Sequence, residues 1–204
     1  NAVPALCRVL SELPYGTGNA LAARDMIDLV RTVAGRTFSY ALYRYVIAQG
    51  EWVQGKADAA AVKVAGGRCT AILTALRDVL ALHDDYSMNA SMAKLRAVHP
   101  VNPCFEQTLK GNAENGYCRT YIYELFDDYY LPQLACYTRW VSERVAGGDR
   151  SRPMRPDTPL PMQAVTDGFY AKPLADMAPR VVRSPEAYRA AIARLARQAA
   201  GFVQ

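Results

Sequence analysis

The chain has 204 residues, a hydrophobic share of 51%, a charged share of 21% and a formal net charge of +5. These are the proportions of a globular domain with one buried core, and they speak against disorder. No block of five or six basic residues occurs, so nucleic acid is not an expected partner, and no apolar run reaches the roughly 18 residues that span a bilayer, so membrane insertion is not expected either.

No signal peptide opens the chain, and its start at Asn1 instead of Met fits a segment of a larger polypeptide. Cys7, Cys69, Cys104, Cys118 and Cys136 are odd in number and lack a C-x-x-C pair. Free thiols or a single disulfide both fit that spacing. With only His83 and His99 to assist, no zinc site is expected, and no cofactor motif stands out.

The predicted elements are all helical. Val3 to Leu13 is a short amphipathic segment ending at Pro14, and Tyr15-Gly16-Thr17-Gly18-Asn19 is a loop without the Lys and Ser/Thr order of a phosphate cradle. A long helix from about Ala22 to Gln49 carries Ile27, Val30, Ala34, Phe38, Ala41, Leu42 and Tyr45 on one side. A second, from about Asp58 to His83, carries Val62, Cys69, Ile72, Leu73, Leu76 and Leu80, with a weak point at Gly66-Gly67. Two long helices joined by a short turn predict an antiparallel hairpin.

Ser91 to Val98 predicts a shorter helix, and Asn102 to Gly116 a short helix that runs into a polar loop. The stretch from Tyr117 through Tyr121, Leu125, Tyr129 and Leu131-Pro132 to Trp140 is apolar around most of its circumference and predicts a central helix, kinked or divided at Pro132. From Gly147 to about Pro161 the prolines and charged residues predict a surface arm, drawn as far as residue 183. Ser184-Pro185 has the form of an N-cap and first-turn proline for a last helix with Arg183, Arg189, Arg194 and Arg197 on a solvated basic face. The expected architecture is therefore all-α. It is a multi-helix bundle of long antiparallel helices around an aromatic-rich helix, with one domain over 1–204, a core of about 22–147, an arm over 148–183 and a terminal helix over 184–204.

Asp25-Met26-Ile27-Asp28-Leu29-Val30-Arg31 and, later, Phe126-Asp127-Asp128-Tyr129-Tyr130-Leu131-Pro132 together resemble the C-terminal all-helical domain of the family 89 glycoside hydrolases, the α-N-acetylglucosaminidases. In that domain an early helix carries a pattern close to Asp-Leu-Val-Asp-Leu-Thr-Arg and a late one carries Asp-Tyr-Tyr-Leu-Pro-Arg-Trp. The resemblance covers about Ala22 to Val145. It implies a hydrolase of bacterial carbohydrate metabolism whose two catalytic glutamates lie in a (β/α)8 barrel of the same polypeptide, absent from this chain, which alone is expected to be inactive. It also implies an N-acetylglucosaminyl glycan as substrate of the whole enzyme, and export to the periplasm or exterior.

The resemblance further implies that the segment from Leu109-Lys110-Gly111 to Gly116-Tyr117 contributes to the sugar pocket wall. Tyr117 matches the family's tyrosine, whereas Lys110 stands where the family has tryptophan and cannot stack on a pyranose face. Asn112, Glu114 and Asn115 either hydrogen-bond sugar hydroxyls or form a plain polar turn. As an acid/base pair, Glu114 with Glu124 or Asp127 with Asp128 is disfavoured, because carboxylates on a helix are ordinarily solvated. A free-standing protein-interaction or carbohydrate-binding module is the alternative reading.

Overall fold

The computed structural model describes residues 5, 6, 8, 9, 12, 20–116 and 121–201. Most of the expected N-terminal segment, the 15–19 loop, Tyr117, Cys118 and Phe202 lie outside the described residues. Those described form helices and connections with no strand, and the fold is all-α.

Helix α1, Ala20–Val53, has 34 residues and runs roughly 50 Å. Ile27, Val30, Ala34, Ala41, Tyr45 and Trp52 recur at helical spacing and are all buried. Gly55 at φ 74° turns the chain. Asp58 then caps α2, Ala59–Leu80, its carboxylate accepting from the Ala61 amide at 2.8 Å. The hairpin closes tightly at Gly66, where the Tyr45 ring occupies the space of a side chain. By length and composition α2 passes for a membrane span, contrary to the expectation from its sequence, but its apolar face is core: Val62, Cys69, Ile72, Leu76 and Leu80 are buried.

A 3₁₀ turn over Asp84–Tyr86 leads to α3, Met88–Val98, capped by Ser87, and then to α4, Phe105–Glu114. Tyr121 lies outside any helix and Ile122 is extended, so among the described residues the central helix begins at Tyr123, while Tyr117 to Thr120 lie outside them. This α5 comprises Tyr123–Leu125, a π turn over Phe126–Tyr130 and Leu131–Ala146 without a break. Pro132 does not divide it. The Leu131 amide bonds back five residues to the Phe126 carbonyl, and this wider turn accommodates the missing donor and the ring of the proline.

The proline-rich arm is also more than a surface crossing. It contains α6, Met162–Ala171, and a 3₁₀ turn at Leu174–Met177, with Phe169, Leu174 and Met177 buried. Helix α7, Pro185–Ala200, starts at the expected Ser184 cap, whose hydroxyl accepts from Ala187 at 3.1 Å. Its basic face is partly engaged, because Arg183 pairs with Asp84 and Arg194 with Asp78. Cys69, Cys104 and Cys136 are free thiols.

Two cores result. α1, α2, α7 and the later part of α5 enclose Ile27, Ile72, Leu76, Val141 and Ile192. A smaller cluster joins Met88, Met92, Ala113, Leu125, Phe169 and Leu174. Helix α5 contributes to both, as its apolar circumference requires.

Candidate functional site

The expected polar loop is helical. Leu109, Lys110 and Ala113 share one face of α4, and the helix persists to Glu114, with Asn115 as its C-cap. Lys110 has no solvent-exposed side-chain surface. Its ammonium donates to the carbonyls of Phe169 at 3.1 Å, Tyr170 at 3.3 Å and Lys172 at 2.5 Å, at the end of α6, where backbone carbonyls lack helical partners and the dipole is negative. Glu106 lies 3.5 Å away. Burial pushes the Lys110 pKa down against the opposing charge of Glu106. Lys110 therefore caps a helix and does not occupy a pocket wall.

The nominated residues divide. Asn112 is exposed on the outer face of α4, and Asn115, also exposed, turns its amide back to the Gly111 carbonyl at 2.8 Å. Glu114 is half-buried and accepts from the hydroxyls of Tyr129, at 2.5 Å, and Tyr170. Burial and the adjacent Glu114 push the Tyr170 phenol up to about 12. Both Glu114 oxygens are thus committed to tyrosines that tie α4 to α5 and α6. Tyr117 lies outside the described residues.

Solvation does not describe the other carboxylates. Glu124 is fully buried and accepts from the Ser87 hydroxyl at 2.6 Å and the amides of Met88 and Asn89, each at 2.9 Å. It holds the N-terminus of α3, where unsatisfied amides favour an anion. Burial nevertheless pushes its pKa up, with the three hydrogen bonds acting in the opposite direction. Asp127 pairs with Arg77 at 2.8 Å and Asp128 with Lys172 at 2.7 Å. Each of these carboxylates ties one helix to another segment, so none pairs with a second carboxylate as acid and base. Among the described residues no group of His, Cys, Asp and Glu is placed to hold a metal.

An open groove of about 430 Å³ lies between α1, α2 and α5, lined by Gly35, Phe38, Leu42, Leu76, Tyr121 and Tyr130 among others. One part of its lining is built by a close approach. A Cβ at Gly35 would overlap the Tyr121 hydroxyl, and the Arg31 guanidinium stands 4.9 Å over the Tyr121 ring while its Nε donates to Asp28 at 2.6 Å. Tyr121 in turn packs on Phe126, with ring centroids 5.8 Å apart. Periodicity alone does not reveal this groove, because Gly35 reads as a neutral position within a helix. Comparisons with protein-family models, curated proteins and solved structures find no match.

Proposed function

We propose that this chain is the C-terminal helical domain of an exported bacterial α-N-acetylglucosaminidase-like glycoside hydrolase, packing on a catalytic barrel of the same polypeptide and lending it part of the sugar pocket wall. The observation that carries the reading is spatial. Asp28 and Arg31 of the early motif and Phe126 of the late motif, about a hundred residues apart in the chain, are linked through Tyr121 by an ion pair, a cation–π contact and a ring contact. Tyr117 stands four residues before Tyr121 in the chain, and we assign the groove side to the barrel. Asn112 and Asn115 offer amides to sugar hydroxyls. Glu114, committed to two tyrosines, holds the segment's base. The two catalytic glutamates belong to the barrel.

The test is the source reading frame. Eight strand–helix units with two carboxylates at strand ends should precede this chain, and the whole polypeptide should hydrolyse an aryl α-N-acetylglucosaminide. Tyr117→Ala should lower turnover while leaving the melting temperature of the isolated domain within a few degrees. A start codon a few residues upstream, or unchanged turnover, would sink the assignment or the wall role respectively. The alternative, a free-standing interaction module, draws on the exposed Leu29, Tyr40, Tyr43 and Val46 of α1. A carbohydrate-binding module would instead bind N-acetylglucosaminyl glycans as the isolated chain.

A further inference from the structure

The last turn of α4 carries a chemistry that the packing and the wall role leave unused. Of the asparagines in the chain only Asn115 precedes glycine; Asn1, Asn19, Asn89 and Asn112 precede alanine, and Asn102 precedes proline. A backbone nitrogen with no Cβ beside it closes most readily on the preceding asparagine side chain, and this ring closure makes asparagine thermolabile. The fold itself requires the glycine. Gly116 takes φ 77°, the left-handed conformation that ends a helix and that other residues adopt only at a cost. Asn115 and Gly116 are both exposed. What restrains the reacting groups is one turn of helix: the Asn115 side-chain amide donates to the Gly111 carbonyl at 2.8 Å and the Gly116 N–H to the Ala113 carbonyl at 3.3 Å.

We infer that Asn115 is a site of spontaneous deamidation, gated by fraying of the last turn of α4, and that the reaction removes the cap of that helix. Solvent base takes the Gly116 N–H proton and the nitrogen attacks Cγ of Asn115. The new N–C bond closes a succinimide ring, the Cγ–Nδ2 bond breaks and ammonia leaves. Water then adds at either ring carbonyl, giving aspartate or, with the chain rerouted through Cβ, isoaspartate. The fraying is local. Glu114 accepts from both Tyr129 and Tyr170, so α4 is pinned up to that residue and only Asn115 and Gly116 need to open. The product does not restore the cap: a carboxylate has no proton to donate to the Gly111 carbonyl, stands at the negative end of the helix dipole and adjoins Glu114. Where the wall role sets a neutral amide against sugar hydroxyls, conversion leaves an anion, although the chemistry does not depend on that role.

Ageing the full 204-residue chain at neutral pH, followed by tryptic peptide mass spectrometry, reads the site directly. Cleavage after Lys110 and Arg119 isolates a peptide that carries Asn112 beside Asn115 as an internal control. Asn115 should gain about 1 Da while Asn112 stays unchanged. The chain unfolded in urea should convert about tenfold faster or more, because nothing then holds the reacting groups. Tyr170→Phe, which removes one tie on Glu114, should speed conversion of the folded chain severalfold, and Asn115→Gln, whose longer side chain closes a larger ring slowly, should abolish it. Asn115→Asp, one of the two products, should melt about 2–4 °C below the wild type. An unmodified Asn115 after the unfolded chain has converted overturns the inference, as does conversion of Asn112 at the same rate. Equal rates in the folded and unfolded chains overturn the gating, and an Asn115→Asp variant as stable as the wild type overturns the loss of the cap. Should Tyr170→Phe fail to fold, the ratio of folded to unfolded rates decides the gating alone.

Discussion

Replacing Lys110 by Met tests the reassignment of this residue from pocket wall to helix cap. The volume is nearly conserved, so packing is held roughly constant while the ammonium is lost. Of the three carbonyls it serves, that of Tyr170 keeps the Gln107 amide at 3.0 Å, so the carbonyls of Phe169 and Lys172 lose a buried donor. At about 1–3 kcal/mol for each unsatisfied group, the loss is about 2–6 kcal/mol. Glu106 loses one of its two cations but retains Arg96 at 3.5 Å and the Leu174 amide at 2.7 Å. Removing a buried charge recovers part of its desolvation cost, leaving a net destabilisation of about 3 kcal/mol. Urea denaturation followed by far-ultraviolet dichroism should show that loss with an unchanged slope. Lys110→Trp, which restores the aromatic residue of the resembled family, should destabilise at least as much, because no room exists for the ring. A change below about 1 kcal/mol for Lys110→Met would refute the capping role.

Three further outcomes follow from the same geometry. Because burial raises the Glu124 pKa, the folded chain holds this proton more tightly than the unfolded chain. The contribution is therefore most favourable below the unfolded value of about 4.3 and declines as pH rises through the window up to the folded value. The melting temperature of the wild type minus that of Glu124→Gln should thus fall with pH across that window, and a rise would contradict the stated balance of burial and hydrogen bonding. Gly66→Ala should destabilise by about 1–3 kcal/mol, since its Cβ would lie 2.9 Å from Cζ of the buried Tyr45. Gly67→Ala, with nothing within 4 Å, should stabilise by about 0.5–1 kcal/mol, so that equilibrium unfolding of the pair should give opposite signs.

What could be read from the sequence depended on how local its cause was. The α1–α2 hairpin and the Ser184-Pro185 start of α7 were legible because periodicity and caps act within a few residues. Helix α6 was not, since the prolines around it outweigh the short run of Met162, Val165 and Phe169 that buries against another element. Residues 109–116 misled in the same way. Asn112, Asn115 and the flanking glycines suggest a loop, while the helix is stabilised by Lys110, Ala113 and Glu114 contacting α5 and α6, partners that no local pattern names. Glu124 did leave a signal: it sits between Ile122-Tyr123 and Leu125-Phe126, where a carboxylate has apolar neighbours on both sides. Tyr121 resting on Gly35 left none.

The π turn at Phe126–Tyr130 has a consequence for the tolerance of this chain to changes in length. One extra residue in a helical turn shifts everything beyond it by about 100° around the axis relative to an unbroken α-helix. Upstream, Leu125 faces the smaller core; downstream, Leu134 and Val141 face the larger one. Deleting a single residue between Phe126 and Tyr130 would let the backbone relax into regular α-helix with both faces kept in their cores, whereas inserting a further residue there would rotate one of them out, although every residue kept its helix propensity. Substitutions on the solvent side of this segment should be absorbed readily. The π turn takes up one residue without altering the phase between the two cores, so here the chain tolerates shortening by one residue and resists lengthening.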